Sequence, residues 1–150
     1  MIVDLPALAL ARLRAEDGVR RRFRHIGGAA DLAAAQTALK SRPAVFVLPL
    51  AERAGSPLLA GEFRQRKILQ IGIVIADADA SDSAGAAVQS GIVAARAVIE
   101  RALIGENGWR PEGCDDALAW SGGRLARLAN NGVLWWQDDY VTSQLVRVPV

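Results

Sequence analysis

The sequence predicts an α+β fold: a mostly antiparallel sheet of four to five strands with helices packed on one face. Three observations predict it. The hydrophobic periods run in the order helix, strand, short helix, strand, strand, long helix, strand, strand, which is the succession of an α+β domain. Asn130 to Gly132 reads as a hairpin turn, because Asn and Gly tolerate positive φ, so the last strand returns alongside its predecessor. The 150 residues hold no Pro/Gly/Ser-rich linker and no internal repeat, so a single domain over 1–150 is expected, long enough to bury a core without staples.

The elements follow in order. "DLPALALARLRAED" opens a helix, with Asp4 as N-cap and Pro6 near its first position. Leu5, Leu8 and Leu13 share a face opposite Arg12, Arg14 and Glu16, and Gly18 is expected to stop it. A short strand is expected over Phe23 to Ile26, ended by Gly27-Gly28. Asp31 is read as the cap of a short helix, "LAAAQTALK". "AVFVLPL" (Ala44 to Leu50) reads as a strand whose Pro49 belongs at a sheet edge or where the chain leaves the sheet. "AERAGSPLLAG" then reads as a loop, and as the longest irregular stretch of the first half it is a candidate functional loop.

"EFRQRKILQIGIVIAD" (Glu62 to Asp77) is the clearest strand. Phe63, Leu69, Ile71, Ile73 and Ile75 share a core face by the period-two rule. Arg64, Arg66, Ile68, Gln70, Gly72 and Val74 share the other, which begins polar and turns apolar, so one end should project beyond the domain. "DADASDS" is a turn with capping residues. The long helix spans Ala84 to Gly105 on a stripe of Val88, Ile92, Ala95, Ile99 and Ala102. Ala117 to Trp120 and Arg124 to Leu128 read as strand pieces broken by a bulge or bend at Gly122-Gly123.

Composition narrows the function classes. With 51% hydrophobic and 23% charged residues the chain is globular rather than disordered. Its one cysteine, Cys114, rules out an internal disulfide framework and fits a reducing compartment. No apolar run approaches the roughly 20 residues of a membrane helix, and no signal-peptide pattern opens the chain, so synthesis and retention in the cytosol are expected. The net charge is +2, but residues 1–30 carry six arginines against Asp4, Glu16 and Asp17. The only basic run, "RRRFR" (Arg20 to Arg24), falls short of a DNA-binding surface and reads as a solvated strand edge or subunit contact.

No P-loop, dinucleotide-binding glycine fingerprint, HExxH, CxxC pair or GxSxG elbow occurs. His25 reads as an exposed or strand histidine, and Cys114 has no nearby second ligand. Asp77, Asp79 and Asp82 resemble the start of a calcium loop but lack its glycine and closing glutamate. Asp115-Asp116 and Asp138-Asp139 are the remaining carboxylate pairs. Adjacent side chains on a strand point to opposite faces, so Asp138 and Asp139 do not converge on one ligand unless the strand is bulged. By the same rule Trp136 lies with Asp138 and Tyr140, and Trp135 with Asp139 and Val141. Both faces then need cover: helices on one and, by expectation, another subunit on the other.

"RPAVFVLPLAERAG", a long strand ending "GIVIA", a helix, "GWRPEGCDDALAWSGGRLARL" and "WWQDDYVT" together resemble the tail terminator (tail completion) proteins of tailed bacteriophages and prophages. The likeness is strongest from Pro43 to Thr142, above all in Trp109-Arg110-Pro111, Gly123-Arg124-Leu125 and Trp136-Gln137-Asp138. It implies a small α+β structural protein, without catalytic residues, metal or cofactor. Such a protein forms a ring, commonly a homo-hexamer, that caps the tail tube, ends its polymerisation and prepares the tail for head joining. The implied partners are further copies, the tail tube protein and the head–tail connector, with no membrane and with DNA met at most in a ring lumen. The implied location is the neck-proximal end of the virion tail. Leu48, Pro49, Leu50, Glu52, Arg53, Arg64, Arg66, Trp135, Trp136, Asp138 and Asp139 are the candidate protein-interface residues. Two alternatives stand beside this one: a connector or neck protein of the same virion, and a carboxylate- or metal-dependent nuclease.

Overall fold

The computed structural model of the protein describes residues 1–37, 42–59, 61–77, 86–129 and 132–149. Its elements are α1 (Leu5–Ala15), α2 (Asp17–Arg22), β1 (His25–Gly27), α3 (Ala29–Thr37), β2 (Ala44–Ala54), β3 (Leu58–Leu59), β4 (Glu62–Asp77), α4 (Ala86–Ile104), β5 (Ala119–Leu128) and β6 (Leu134–Pro149). The strands form one six-stranded sheet in the order β1-β2-β4-β6-β5, with β3 paired to β4 off that path. β1 lies parallel to β2 and the remaining pairings are antiparallel. The class is therefore α+β as the sequence predicts, with a mixed sheet and one strand more than expected. The DADASDS turn from Ala78 onward, the two asparagines of the hairpin turn, the end of the short helix and the start of the long one lie outside the described residues.

The centre of the fold is β4 against β6, in unbroken register from Glu62 opposite Pro149 to Asp77 opposite Leu134. Alternation sends Leu69, Ile71, Ile73 and Ile75 to one side, where Leu5, Ala9 and Leu13 of α1, Val19 of α2 and Ile92, Ala95, Ile99 and Leu103 of α4 close over them. The opposite side is not bare. Phe46, Val74, Ala76, Val133 and Trp135 form a second cluster there with Leu32 of α3. Helices thus lie on both faces, which corrects the one-face expectation: both alternating sets on β2 and β4 turn apolar, so both need cover.

Four local expectations change. Gly18 does not end the first helical region; Glu16 breaks it with an extended backbone and a second short helix, α2, follows. The basic run therefore sits mostly on a helix rather than a strand edge. Its arginines tie elements together: Arg20 donates to the carbonyls of Arg14 and Ala15 at 2.9 and 3.0 Å, satisfying the open end of α1, and Arg22 donates to Gly91 of α4 at 2.8 Å. The strand after it begins at His25 rather than Phe23, which is buried. Asp31 lies inside α3, three residues after Gly28, and reaches back to accept from the Gly28 amide at 2.9 Å, the acidic half of a capping box.

The expected loop after Leu50 is largely strand. β2 runs on to Ala54 through a register shift between Pro49 and Ala51, and Leu58–Leu59 add β3. Pro49 is accommodated at that irregularity, on a strand edge that β1 covers only as far as Phe46. β5 is one strand rather than two pieces; its bulge lies between Trp120 and Gly122, just before the expected Gly122-Gly123, with a second shift between Leu125 and Arg127.

Candidate interaction surfaces

On the side covered by α4, β6 presents Trp136, Asp138 and Tyr140, as alternation requires. Asp138 is 3% exposed and collects four donors. Arg96 of α4 binds it in bidentate fashion, Nε to Oδ2 at 2.8 Å and Nη2 to Oδ1 at 3.0 Å. The indole N–H groups of Trp120 and Trp136 donate to Oδ1 at 3.0 and 3.1 Å. The Arg96 guanidinium also lies 4.5 Å from the centre of the Trp136 ring. The hydrogen bond from Asp138, opposed by burial, holds the Arg96 pKa above its ordinary value. Burial first, and the Asp138 charge second, push the Tyr140 phenol well above its ordinary range. Gly123 stands opposite Asp138 in the β5–β6 register, and a Cβ there would run into Asp138 Oδ1. Only glycine lets the strand approach the carboxylate this closely.

Across the sheet, Asp139 accepts from Arg124 at 2.9 Å and from Gln137 at 2.8 Å. Trp135 stacks on Phe46 with ring centroids 6.3 Å apart and is 5% exposed. The cover expected from another subunit comes, for this ring, from within the chain. The two adjacent aspartates diverge and each is held by its own arginine. The other pair, Asp115 and Asp116, fastens the segment before β5 to the end of β6: Asp115 accepts from the Leu145 amide, and Asp116 bonds Ser143 and meets Arg66 at 3.3 Å. The carboxylates are therefore committed to structural contacts, and no group of three or more metal-ligating side chains occurs among the described residues. His25 packs at an angle on Phe46, and Cys114 is buried, which raises its thiol pKa.

Beyond the helices, the end of β2, β3, the first half of β4 and the end of β6 continue as an arm. Glu52, Arg53, Arg64 and Arg66 lie on it and are exposed, and the exposed Pro49 and Leu50 sit at its base, beside Ile71 and Gly72 and near Leu5 and Pro6 of α1. Glu52 stands 3.9 Å from Lys67, Arg64 pairs with Glu62, and Arg66 also donates to Ser143 at 2.7 Å. Leu50 rests over Gly72 beside Gln137, whereas Leu48 packs against the second core cluster. The eleven candidate residues thus divide among three places: the arm, the Asp138 network, and the opposite face with Leu48, Trp135 and Asp139.

Sequence reasoning passed over the β5 edge. β5 is the last strand of the sheet, and all its residues but Gly122 are exposed, including Trp120, Leu125 and Leu128. Between it and α4 lies an open groove of about 330 Å³ lined by Val93, Arg96, Ala97, Glu100, Trp120, Asp138 and Tyr140. One signal for Arg96 was present: a lone arginine set directly beside the Ala95–Ile99 stripe of an otherwise apolar helix stretch.

Comparison with known proteins places this architecture. Chains of solved structures match it in 28 cases. One, from the virion of a native gene transfer agent (GTA) particle, aligns with a TM-score of 0.50 over 97% of this chain and 95% of that one. At 17% identity that likeness concerns the fold. No curated protein matches the sequence. The model of the phage tail terminator protein family matches residues 1–148, nearly the full length, and the chain belongs to that family.

Proposed function

We propose that the protein caps the tail tube of a phage or prophage as a homo-hexameric ring, ending tube polymerisation at its set length and leaving a surface to which the head–tail connector joins. It acts at the neck-proximal end of the tail, through protein contacts rather than catalysis. The observation that carries this reading is the pair of surfaces the fold leaves uncovered, the arm and the β5 edge. A long, exposed, partly apolar edge strand invites pairing with another chain unless a partner occupies it. Two different uncovered surfaces on one subunit are what a ring of identical copies needs on its two sides.

Light scattering over a concentration series, with electron images of the same sample, tests the ring. The expected result is a closed six-fold particle, formed either by the protein alone or after addition of purified tail tube protein, and a halt in tube growth once it is added. A strict monomer under both conditions overturns the proposal.

A further inference from the structure

The register gathers arginines that the sequence scatters. On the arm, Arg53 stands opposite Ile68, Arg64 opposite Arg147, and Arg66 opposite Leu145. All four arginines therefore project from the face that, further along the sheet, carries Phe46, Val74 and Trp135. Phe63, Gln65 and Lys67 take the other face, with Leu59 and Val148. β5 adds two more arginines. Arg124 and Arg127 are three residues apart, and strict alternation sends such a pair to opposite faces. The register shift between Leu125 and Arg127 undoes this: Arg124 stands opposite Gln137 and Arg127 opposite Trp135, both on the face of Arg147. All six are exposed.

Carboxylates answer only half of them. Glu62 pairs with Arg64, Asp116 meets Arg66 at 3.3 Å, and Asp139 holds Arg124 at 2.9 Å. Arg53, Arg127 and Arg147 form no ion pair among the described residues. Arg147 also faces Arg64 directly across the strand pair; like charges so placed repel, and a polyanion laid over them removes the cost. The set is extended. Arg64 lies ten residues along β4 from Val74, the residue in one row with Arg124, or about 33 Å at the rise of a strand. Among the described residues no Phe, Tyr or Trp ring is exposed on this face, since Phe46 and Trp135 are buried.

That combination selects the partner. A protein interface is anchored by apolar and aromatic side chains, with charged residues depleted at its core. Unpaired nucleic-acid strands stack their bases on exposed rings. Dispersed guanidinium groups without rings fit the phosphates of a duplex, which presents one charge per roughly 1.7 Å of its axis. We infer that this face binds the phosphate backbone of double-stranded DNA without reading its sequence. The basic run Arg20 to Arg24 is no substitute for it, because Arg20 and Arg22 are spent on carbonyls of α1 and α4. The inference goes beyond the ring reading and does not rest on it, since all six arginines belong to one chain.

Fluorescence anisotropy of a labelled duplex of about 30 base pairs, titrated with the purified protein between about 50 and 200 mM salt, tests it. Three unpaired arginines predict that log K falls against log salt with a slope of about −3, at micromolar or weaker affinity. Arg53→Gln with Arg147→Gln is expected to weaken binding roughly tenfold at low salt and to bring the slope to about −1. Arg21→Gln with Lys67→Gln removes the same charge from α2 and from the other face of the arm, and is expected to leave affinity and slope nearly unchanged. Circular dichroism and Tm check that both double variants fold. No binding at low salt overturns the inference. Equal losses in the two double variants also overturn it, because attraction then follows net charge rather than this face. Tighter binding of an unpaired strand, or of polyglutamate, than of the duplex overturns the assignment to duplex phosphates.

Discussion

The two halves of β4 have the same hydrogen-bonding partner and opposite surroundings. From Leu69 to Ala76 every residue but Gln70 is buried; from Glu62 to Ile68 none is. β6 pairs with both halves in a single unshifted register, so the backbone ladder does not distinguish them. The side chains do. "ILQIGIVIA" offers apolar residues to both faces, and two helical layers close over them, whereas "EFRQRK" alternates charge with little to bury. A ladder bond contributes only about 1 kcal/mol net, while burying a large apolar side chain contributes roughly 1.5–3 kcal/mol. Stability therefore resides in the covered half, and the other half is held in shape by pairing while remaining available to a partner.

The contrast is broken most severely at Asp138, which stands opposite Ile73 in the covered half. Asp138→Ala leaves the Arg96 guanidinium and two indole N–H groups without their shared acceptor at the wall of the groove beside β5. Removing one member of a buried pair costs about 3–5 kcal/mol, and because the Arg96 side chain is 30% exposed and recovers some water, the lower end applies, about 3 kcal/mol. Urea unfolding should show that loss with an unchanged m value. Asp138→Asn, which keeps one acceptor oxygen, should fall between. A cost below about 1 kcal/mol for the alanine variant would mean the network is ornamental, and the covered half would owe its stability to apolar packing alone.

Tyr140, opposite Ile71, gives the next effect and confines it to high pH. Its phenol is raised by burial, so the folded chain holds the proton at a pH where the unfolded chain has released it. Between the ordinary tyrosine value of about 10 and the higher folded value, the unfolded state binds fewer protons, and stability falls as pH rises. Below about pH 10 this contribution is fully present. Tyr140→Phe should remove that alkaline decline, leaving stability at neutral pH nearly unchanged. Denaturation midpoints at pH 8, 10 and 11 check it; parallel slopes for parent and variant would show that another group drives the alkaline loss.

The covered half was legible in the sequence because alternation encodes it. The core face of Leu69, Ile71, Ile73 and Ile75 and the divergence of Asp138 from Asp139 follow from period two alone. The uncovered half was only half legible. The polar start of β4 announced a projecting end, yet Ala51 to Ala54 looked like loop, because nothing in "AERA" has strand character without the β4 edge that pairs it. α2 was hidden by Gly18, since the arginine that satisfies the end of α1 comes from the next helix and not from the helix period. Arg96 and Trp120 stayed unseen for a related reason. They lie 42 and 18 residues from Asp138, and only the packing of α4 and the bulge in β5 bring them to it.

The smallest expected effect on stability lies at the arm, and its smallness is the point. Leu58 is 66% exposed and pairs across to Arg64 on a strand end that nothing among the described residues covers. Leu58→Ser therefore removes almost no buried area from the monomer, and an exposed substitution of this kind stays within about 0.5 kcal/mol. For a domain of this size that is a Tm shift of about 2 °C or less in dilute solution. If the arm is buried by a partner, the same substitution acts again on the assembled form, where a leucine leaves an interface. The Tm of concentrated samples, or of samples with tube protein added, should then fall further than that of dilute ones. Equal small shifts in all samples would mean that Leu58 stays in solvent throughout, and a large shift already in the dilute monomer would mean that the arm packs within its own chain and that the two halves of β4 are not so different.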